Sequence, residues 1–333
     1  MHTLKATAAS SLSLPAENYI YTIAASAPGI LAAISSDDSL RVFDAATLDR
    51  VSVISNKTHD AGVTSLRSYA AGESQLLATG GREGKVKLWD VRAGNAVVEM
   101  ETARHAPVLS VACDPESNTI VAGTELLSSQ AVVAFCNILL SGSTDGLVNV
   151  YDTTIVDEDE ALVQVINHGS VHHAGFLSER TIYALSHDEQ FSIHPATDPD
   201  ESAQEPEPVH FDDVREPLGC EYVVQLCLGA QGPYIAAGNK IDKRLDLIPL
   251  VSTPTWRFDQ DNLWRLPGAH GDEVVRSVYL DEQSQSVFTC GEDGFVRAWK
   301  PVEGGDEDVQ NPAGSGKISR PKEKKQKDRF KPY

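Results

Sequence analysis

Two stretches of this 333-residue chain carry residue types and spacings that could do chemistry. "NHGSVHH" (Asn167–His173) gathers His168, His172 and His173, the imidazole set of a zinc site. His172 and His173 are sequence neighbours in a strand-like segment, so their side chains are expected on opposite faces and no shared ion is expected. "GGREGK" (Gly80–Lys85) has the glycines and lysine of a phosphate loop but not the required spacing, and the alternating "VKLWD" that follows reads as a strand. A β-turn is expected there. Five cysteines (Cys113, Cys136, Cys220, Cys227, Cys290) form no CxxC pair and are odd in number, which argues against a disulfide framework or a metal knuckle. No catalytic, metal-binding or cofactor-binding residue is expected, and the chain is read as a non-enzyme.

The elements that carry these residues repeat. An apolar run, a tight polar turn and an alternating strand ending in an aromatic recur as "TGGREGKVKLWD" (Thr79–Asp90), "SGSTDGLVNVYD" (Ser141–Asp152) and "TCGEDGFVRAWK" (Thr289–Lys300). Weaker copies are "AISSDDSLRVFD" (Ala33–Asp44), "ALSHDEQFSIHP" (Ala184–Pro195) and "AAGNKIDKRLDLIPL" (Ala236–Leu250). Turn carboxylates Asp37, Glu83, Asp145, Asp188 and Asp293, with Asp242 in the most degenerate copy, set a period of about forty residues. A further copy near Ser128 lacks its carboxylate. Short alternating strands with glycine turns predict an all-β chain. Single four-stranded units cannot bury both faces, so they must stack around an axis.

Period, turn Gly-Asp and terminal Trp-Asp together resemble the WD40 β-propeller family. That resemblance implies a buried chain of His, Ser/Thr, turn carboxylate and Trp in each complete unit. The matching residues are His59, Thr79, Glu83 and Trp89 in the second unit and His270, Thr289, Asp293 and Trp299 in the last. His105 and His168 fall at the equivalent His position and are read as structural too. "VAGTELLSSQAVV" (Val121–Val133), "LLSGSTDGLVNVYD" (Leu139–Asp152) and "TCGEDGFVRAWKP" (Thr289–Pro301) are similar to the WD repeat-containing protein 89 family, in its fungal branch. This implies a non-catalytic, nuclear propeller.

Seven units can be placed, so the expectation is a seven-bladed propeller over residues 1–302. The seventh lacks a fourth strand after Trp299, and N-terminal strand closure is expected from "SSLSL" (Ser10–Leu14), which would remove an open edge. One junction does not fit. Phe43 to Thr79 is 36 residues and Tyr151 to Ala184 is 33, but Phe135 to Ser141 is 6. The deficit of 27–30 residues predicts a defective blade junction near residues 131–152, with Ala131–Phe135 as the third strand of blade three, Ile138–Gly142 as the second strand of blade four, and the outer strand of the one and the inner strand of the other missing between them. Cys136 and Asn137 would then span two blades, a reach of only about 10 Å. Coding sequence lost as an intron accounts for this better than a real deletion.

Charge narrows the partners. Net charge is −20, and Lys317–Tyr333 carries eight Lys/Arg against two Asp/Glu, which leaves −26 on residues 1–316. Such a body repels nucleic-acid phosphates and attracts basic proteins; no direct DNA binding and no membrane contact are expected. His194–Pro217 and Val156–Ala161 read as acidic loops, the former mobile. Residues 303–333 read as a disordered linker and basic tail, with a nuclear-localisation cluster at Arg320, Lys322, Lys324, Lys325, Lys327 and Arg329. "WDVR" (Trp89–Arg92) matches the adaptor motif of cullin–RING substrate receptors, with Arg92 as adaptor contact. The leading expectation is a nuclear protein–protein scaffold, also found in the cytoplasm. The alternatives are an acidic escort of a ribosomal protein or histone, and a ubiquitin-ligase receptor.

Overall fold

The computed structural model describes residues 1–70, 75–125, 129–135, 137–197 and 206–302. Among them the strands run in antiparallel meanders. After β1 (His2–Ser10), one four-stranded sheet holds β2 (Ile20–Ala27), β3 (Ile30–Ser35), β4 (Leu40–Asp44) and β5 (Ser52–Ser55). The next holds β6 (Val63–Ser68), β7 (Leu76–Gly81), β8 (Lys85–Asp90) and β9 (Asn95–Glu101). A two-stranded sheet, β10 (Val108–Asp114) and β11 (Thr119–Thr124), follows. Two further four-stranded sheets come next: β12 (Ser129–Phe135), β13 (Ile138–Ser143), β14 (Leu147–Asp152), β15 (Leu162–Asn167); then β16 (Val171–Ser178), β17 (Thr181–Ser186), β18 (Gln190–Pro195), β19 (Val209–Asp213). The remaining strands are β20 (Tyr222–Gly229), β21 (Gly232–Asn239), β22 (Arg244–Val251), β23 (Arg257–Phe258), β24 (Trp264–Pro267), β25 (Val275–Asp281), β26 (Ser286–Gly291) and β27 (Val296–Pro301). They join β1 in a nine-stranded sheet.

Each meander buries a face against the next. Ile34, Leu40, Leu66 and Leu77 join the first two; Ala78, Val86, Val108 and Val111 join the second to β10. Leu140, Val148, Val171 and Ile182 pack together further on, as do Leu185, Phe191, Ile235 and Ile248. Ile23, Leu31 and Phe43 meet Phe288 and Val296, so the last strands pack on the first and the β-propeller closes.

One turn recurs between second and third strands: Gly84 N–H donates to Gly81 O and Gly294 N–H to Gly291 O, at 3.1 and 3.2 Å. Gly84 (φ +80°) and Gly294 (φ +75°) need glycine twice over. Their backbone is left-handed, and a Cβ would sit 2.5 Å from the His105 carbonyl carbon or 2.4 Å from Asn18 O. The weaker copies make the same turn with Asp38 (φ +61°), Glu189 (φ +61°) and Lys243 (φ +51°), at a cost of about 1–2 kcal/mol each.

N-terminal closure comes from a different segment than expected. β1 pairs antiparallel to β27 from Leu4 opposite Pro301 to Ser10 opposite Val296, and parallel to β24 through His2 and Thr3. Ser11–Leu14 is a turn instead, with Leu14 N–H bonded to Ser11 O and Leu12 buried as its anchor.

The deficit also falls elsewhere than expected. Ala131–Phe135 is not the third strand of blade three: Phe135 pairs with Ile138 and Val133 with Leu140, so β12 is the inner strand beside β13. A link this short cannot cross between blades, but it does close an antiparallel hairpin. Leaving β13 without an inner neighbour would also strand backbone groups beside the core. The chain therefore completes the sheet holding residues 131–152, and among the described residues it is β11 that has no third strand beside it. Cys136 lies outside the described residues.

Two acidic stretches are more ordered than expected. Val209–Asp213 is the outer strand on β18, because Val209 and Phe211 alternate onto the Leu185–Phe191 core. Glu158–Ala161 is a short helix, and the Asp157 side chain accepts from Asp159 N–H as its cap. Residues 198–205 and the 303–333 tail with its basic cluster lie outside the described residues.

Candidate functional site

The side chains singled out by sequence fall into two buried polar chains and one exposed turn. In the last meander, β26 supplies Thr289, the following turn Asp293, β27 Trp299, and the loop before β25 His270. Trp299 Nε1–H donates to Thr289 Oγ1 at 2.9 Å, and His270 Nε2 lies 2.8 Å from the same oxygen. His270 Nδ1 is 2.7 Å from Asp293 Oδ1, and Arg297 donates to Asp293 Oδ2 at 2.5 Å. Since the Asp293 carboxylate can only accept, the proton of the neutral His270 ring sits on Nδ1, and Thr289, which accepts from Trp299, gives its hydroxyl proton to His270 Nε2. Burial keeps His270 neutral by pushing its pKa down, against the pull of Asp293. Burial also opposes ionisation of Asp293, but the bonds from His270 and Arg297 outweigh it and hold the carboxyl below its ordinary value.

The second meander repeats this geometry with a glutamate. Trp89 Nε1–H donates to Thr79 Oγ1 at 2.9 Å, His59 Nε2 is 2.8 Å from Thr79 Oγ1, and His59 Nδ1 is 2.5 Å from Glu83 Oε1. Lys87 donates to Thr58 O at 3.0 Å instead of bonding Glu83. Two residues in these sites were not singled out by sequence. A Cβ on Gly81 would lie 2.2 Å from His59 Nδ1, and one on Gly291 2.9 Å from His270 Nδ1. Glycine two residues after the threonine lets the ring lie flat on the strand. The signal was in "TGG" and "TCG".

The other copies are incomplete. In the first, Arg41 bonds Asp37 Oδ2 at 3.0 Å and Ser35 Oγ bonds Asp37 Oδ1 at 2.7 Å, with Phe43 at the Trp place. In the β16–β19 meander, Ala184 and His194 hold the Thr and Trp places. Ser192 Oγ takes over as the hub, 2.8 Å from His194 Nε2 and 3.2 Å from His168 Nδ1. His105 is exposed, 3.8 Å from Glu101, and belongs to no buried chain. Among the described residues its meander has no third strand to bring it a partner. His172 and His173 do not diverge either: a bulge between Val171 and His173 turns the two rings to 4.2 Å apart. Burial pushes His172 down to about 4 and His173 to about 3. Among the described residues no group of three or more His, Cys, Asp or Glu is arranged to hold a metal. Among them also, no helix is long and apolar enough to cross a membrane.

Arg92 is the exposed element. It sits in the turn after β8, its side chain 71% exposed, and bonds Asp90 through Nε at 3.3 Å and a terminal nitrogen at 3.1 Å. Gly80–Lys85 runs from the end of β7 through the Arg82–Gly84 turn into β8, and offers no helix N-terminus to a phosphate.

The family pattern described as "WD domain, G-beta repeat" matches residues 50–90 and 261–300, the two meanders with complete chains. An uncharacterized WD repeat-containing protein of Saccharomyces cerevisiae is 34% identical over 282 residues, covering 83% of this chain and 65% of its own length; this chain thus spans just under two thirds of that relative. A WD repeat-containing protein 89 homolog of Dictyostelium discoideum is 27% identical over 172 residues, 49% of this chain and 45% of the relative. The solved β-propeller domain of Cps50 (Swd1) from Myceliophteria thermophila superposes with a TM-score of 0.62 at 17% identity, over 89% of this chain and 99% of that domain.

Proposed function

From the premise that this chain is a WD40-repeat β-propeller resembling WD repeat-containing protein 89, we propose that it is a non-enzymatic scaffold of seven blades that binds proteins through its rim loops and top face. The count of seven divides the nine-stranded sheet at the parallel contact between β24 and β1. The observation that carries the reading is the use of the reactive-looking side chains. His59, Thr79, Glu83, His270, Thr289 and Asp293 bond one another inside the blades, which leaves them no substrate-facing role. The client is a basic protein and the site of action the nucleus. The charge of −26 over residues 1–316 supports the first, and the Arg320–Arg329 cluster the second. Proximity labelling of the full chain in cells, followed by pull-down across a salt series, tests this. Enrichment of basic nuclear proteins whose retention falls with salt is expected; no basic protein, or salt-insensitive retention, defeats the escort reading.

A second reading, a cullin–RING substrate receptor, is favoured by one observation: Arg92 is exposed and braced by Asp90. Loss of adaptor association in Arg92→Ala supports it, and unchanged association removes it.

A further inference from the structure

A cavity of about 360 Å3 opens between the β20–β21 and β25–β26 hairpins, at the end of the propeller opposite the Gly294 turn. Its apolar walls are Leu4, Tyr234, Leu247, Trp264, Leu280 and Val287. Leu4 and Leu247 are buried, but Tyr234, Trp264, Leu280 and Val287 are only half-buried, so apolar surface stays in contact with solvent. Ring closure makes this a pocket instead of an open cleft between blades. β24 and β1 pair in parallel, His2 opposite Trp264, and the two rings stack at 4.6 Å, which shuts the outer side. On the inner side the hairpins nearly touch: a Cβ on Gly229 would lie 3.4 Å from both Leu280 Cδ1 and Tyr234 Cε2. Asp281 and Glu282 are the charged residues of the lining, which holds no Lys, Arg or His among the described residues. Lys5 and Lys300, next to Leu4 and Pro301 in their strands, alternate onto the other face of the sheet. Gln283 N–H and Ser284 Oγ–H donate to the Asp281 carboxylate at 3.1 and 2.6 Å and fix it at the hairpin turn. Glu282 beside it is exposed, and neither carboxylate is in an ion pair among the described residues.

We propose that this pocket is an anchor site: a segment of a basic partner protein seats one bulky apolar side chain against Trp264 and Tyr234, and the Lys or Arg beside that anchor meets Asp281 and Glu282. The anchor follows from the walls, since a fully enclosed apolar side chain is what such a pocket rewards most. The basic neighbour follows from the rim. Two unpaired carboxylates at the mouth attract a cation, and the long stem of Lys or Arg can lie on the apolar wall while its charge stays in water. The occupant is not a second copy, because residues 1–316 carry −26 and two such bodies repel. The pocket gives the scaffold reading a specific surface for a basic client and rests on that reading for its biological use.

The test uses the full chain and labelled pentapeptides Gly-Lys-Xaa-Lys-Gly, with Xaa as Ala, Leu, Phe or Trp, followed by fluorescence anisotropy. Affinity should rise about tenfold or more from Ala to the best of the bulky residues, which reads the apolar walls without any mutation. Glu282→Lys should weaken the best peptide about tenfold or more. Glu179→Lys, the same charge change at the exposed β16–β17 hairpin, should leave it unchanged. No binding, a flat ranking from Ala to Trp, or equal losses in Glu282→Lys and Glu179→Lys overturns the proposal, the last because the attraction is then only that of an acidic body. A dimer in sedimentation that Glu282→Lys dissolves assigns the pocket to a second copy and overturns the partner assignment. Failure of the peptides leaves the scaffold reading standing, whereas an empty proximity-labelling experiment removes the scaffold and leaves the peptide ranking.

Discussion

The β25–β27 meander and the β10–β11 pair differ in what holds them. The former has four strands once β1 is added, and a threonine hydroxyl that ties a tryptophan, a histidine and through it a carboxylate into one buried chain. Among the described residues the latter has two strands, an exposed His105 where the chain would start, and no third strand to supply a Trp. A blade's polar chain requires its third strand, since the Trp and the turn carboxylate both come from it or from the turn leading to it. Losing the outer strands therefore removes side-chain and backbone bonding together, and the burden passes to the neighbouring cores.

The difference can be broken from the strong side first. Trp299→Ala removes a buried ring and its bond to Thr289, and should cost about 3–5 kcal/mol in urea unfolding. Thr79→Val keeps the shape of the second meander but leaves His59 Nε2 and Trp89 Nε1 without partners; an orphaned buried group costs about 1–3 kcal/mol, so a loss near 2 kcal/mol is expected. Acid acts on the same regions with a smaller effect per group. His59 and His270 are held below their ordinary pKa, chiefly by burial, and His194 is pushed to about 4. An unfolded histidine titrates near 6.5, so the unfolded chain binds more protons below that pH, and stability falls as pH drops from about 6.5 toward 4. The urea midpoint should be lower at pH 5 than at pH 7.5, and a flat profile would mean these rings are not buried. On the weak side, Ile120→Ala on half-exposed β11 should cost under about 1.5 kcal/mol, against about 2–5 kcal/mol for Ile182→Ala on β17. Equal costs would erase the contrast.

Much of this was legible in the sequence, and the exceptions have physical causes. The turn glycines and carboxylates are fixed by φ and by contact with the next blade, so they survive as a pattern; Gly84 and Asp293 are examples. Strand rank is not encoded in that way. "AVVAF" alternates equally well as a third or an inner strand, and only the short link after it decides, by forcing a hairpin. "HTLKATAAS" closes the ring, yet its alanines carry little β-propensity and its lone fully buried residue is Leu4. "VHFDD" pairs as a strand although prolines and acids surround it. The bulge beside His172 reverses a simple alternation argument. Gly81 and Gly291 were visible as letters, but their role depends on a histidine more than twenty residues away in the chain.

The central claim is that the chain spends its strands on a complete sheet around residues 131–152 and, among the described residues, leaves β11 paired on one side only. Residue-resolved native-state hydrogen exchange on the monomer tests it most directly. Amides of the Ala131–Gly142 hairpin should approach the protection of global unfolding, while the outward amides of Thr119–Thr124 exchange at least a hundredfold faster. Equal protection along β11, or rapid exchange throughout Ala131–Phe135, would contradict the account.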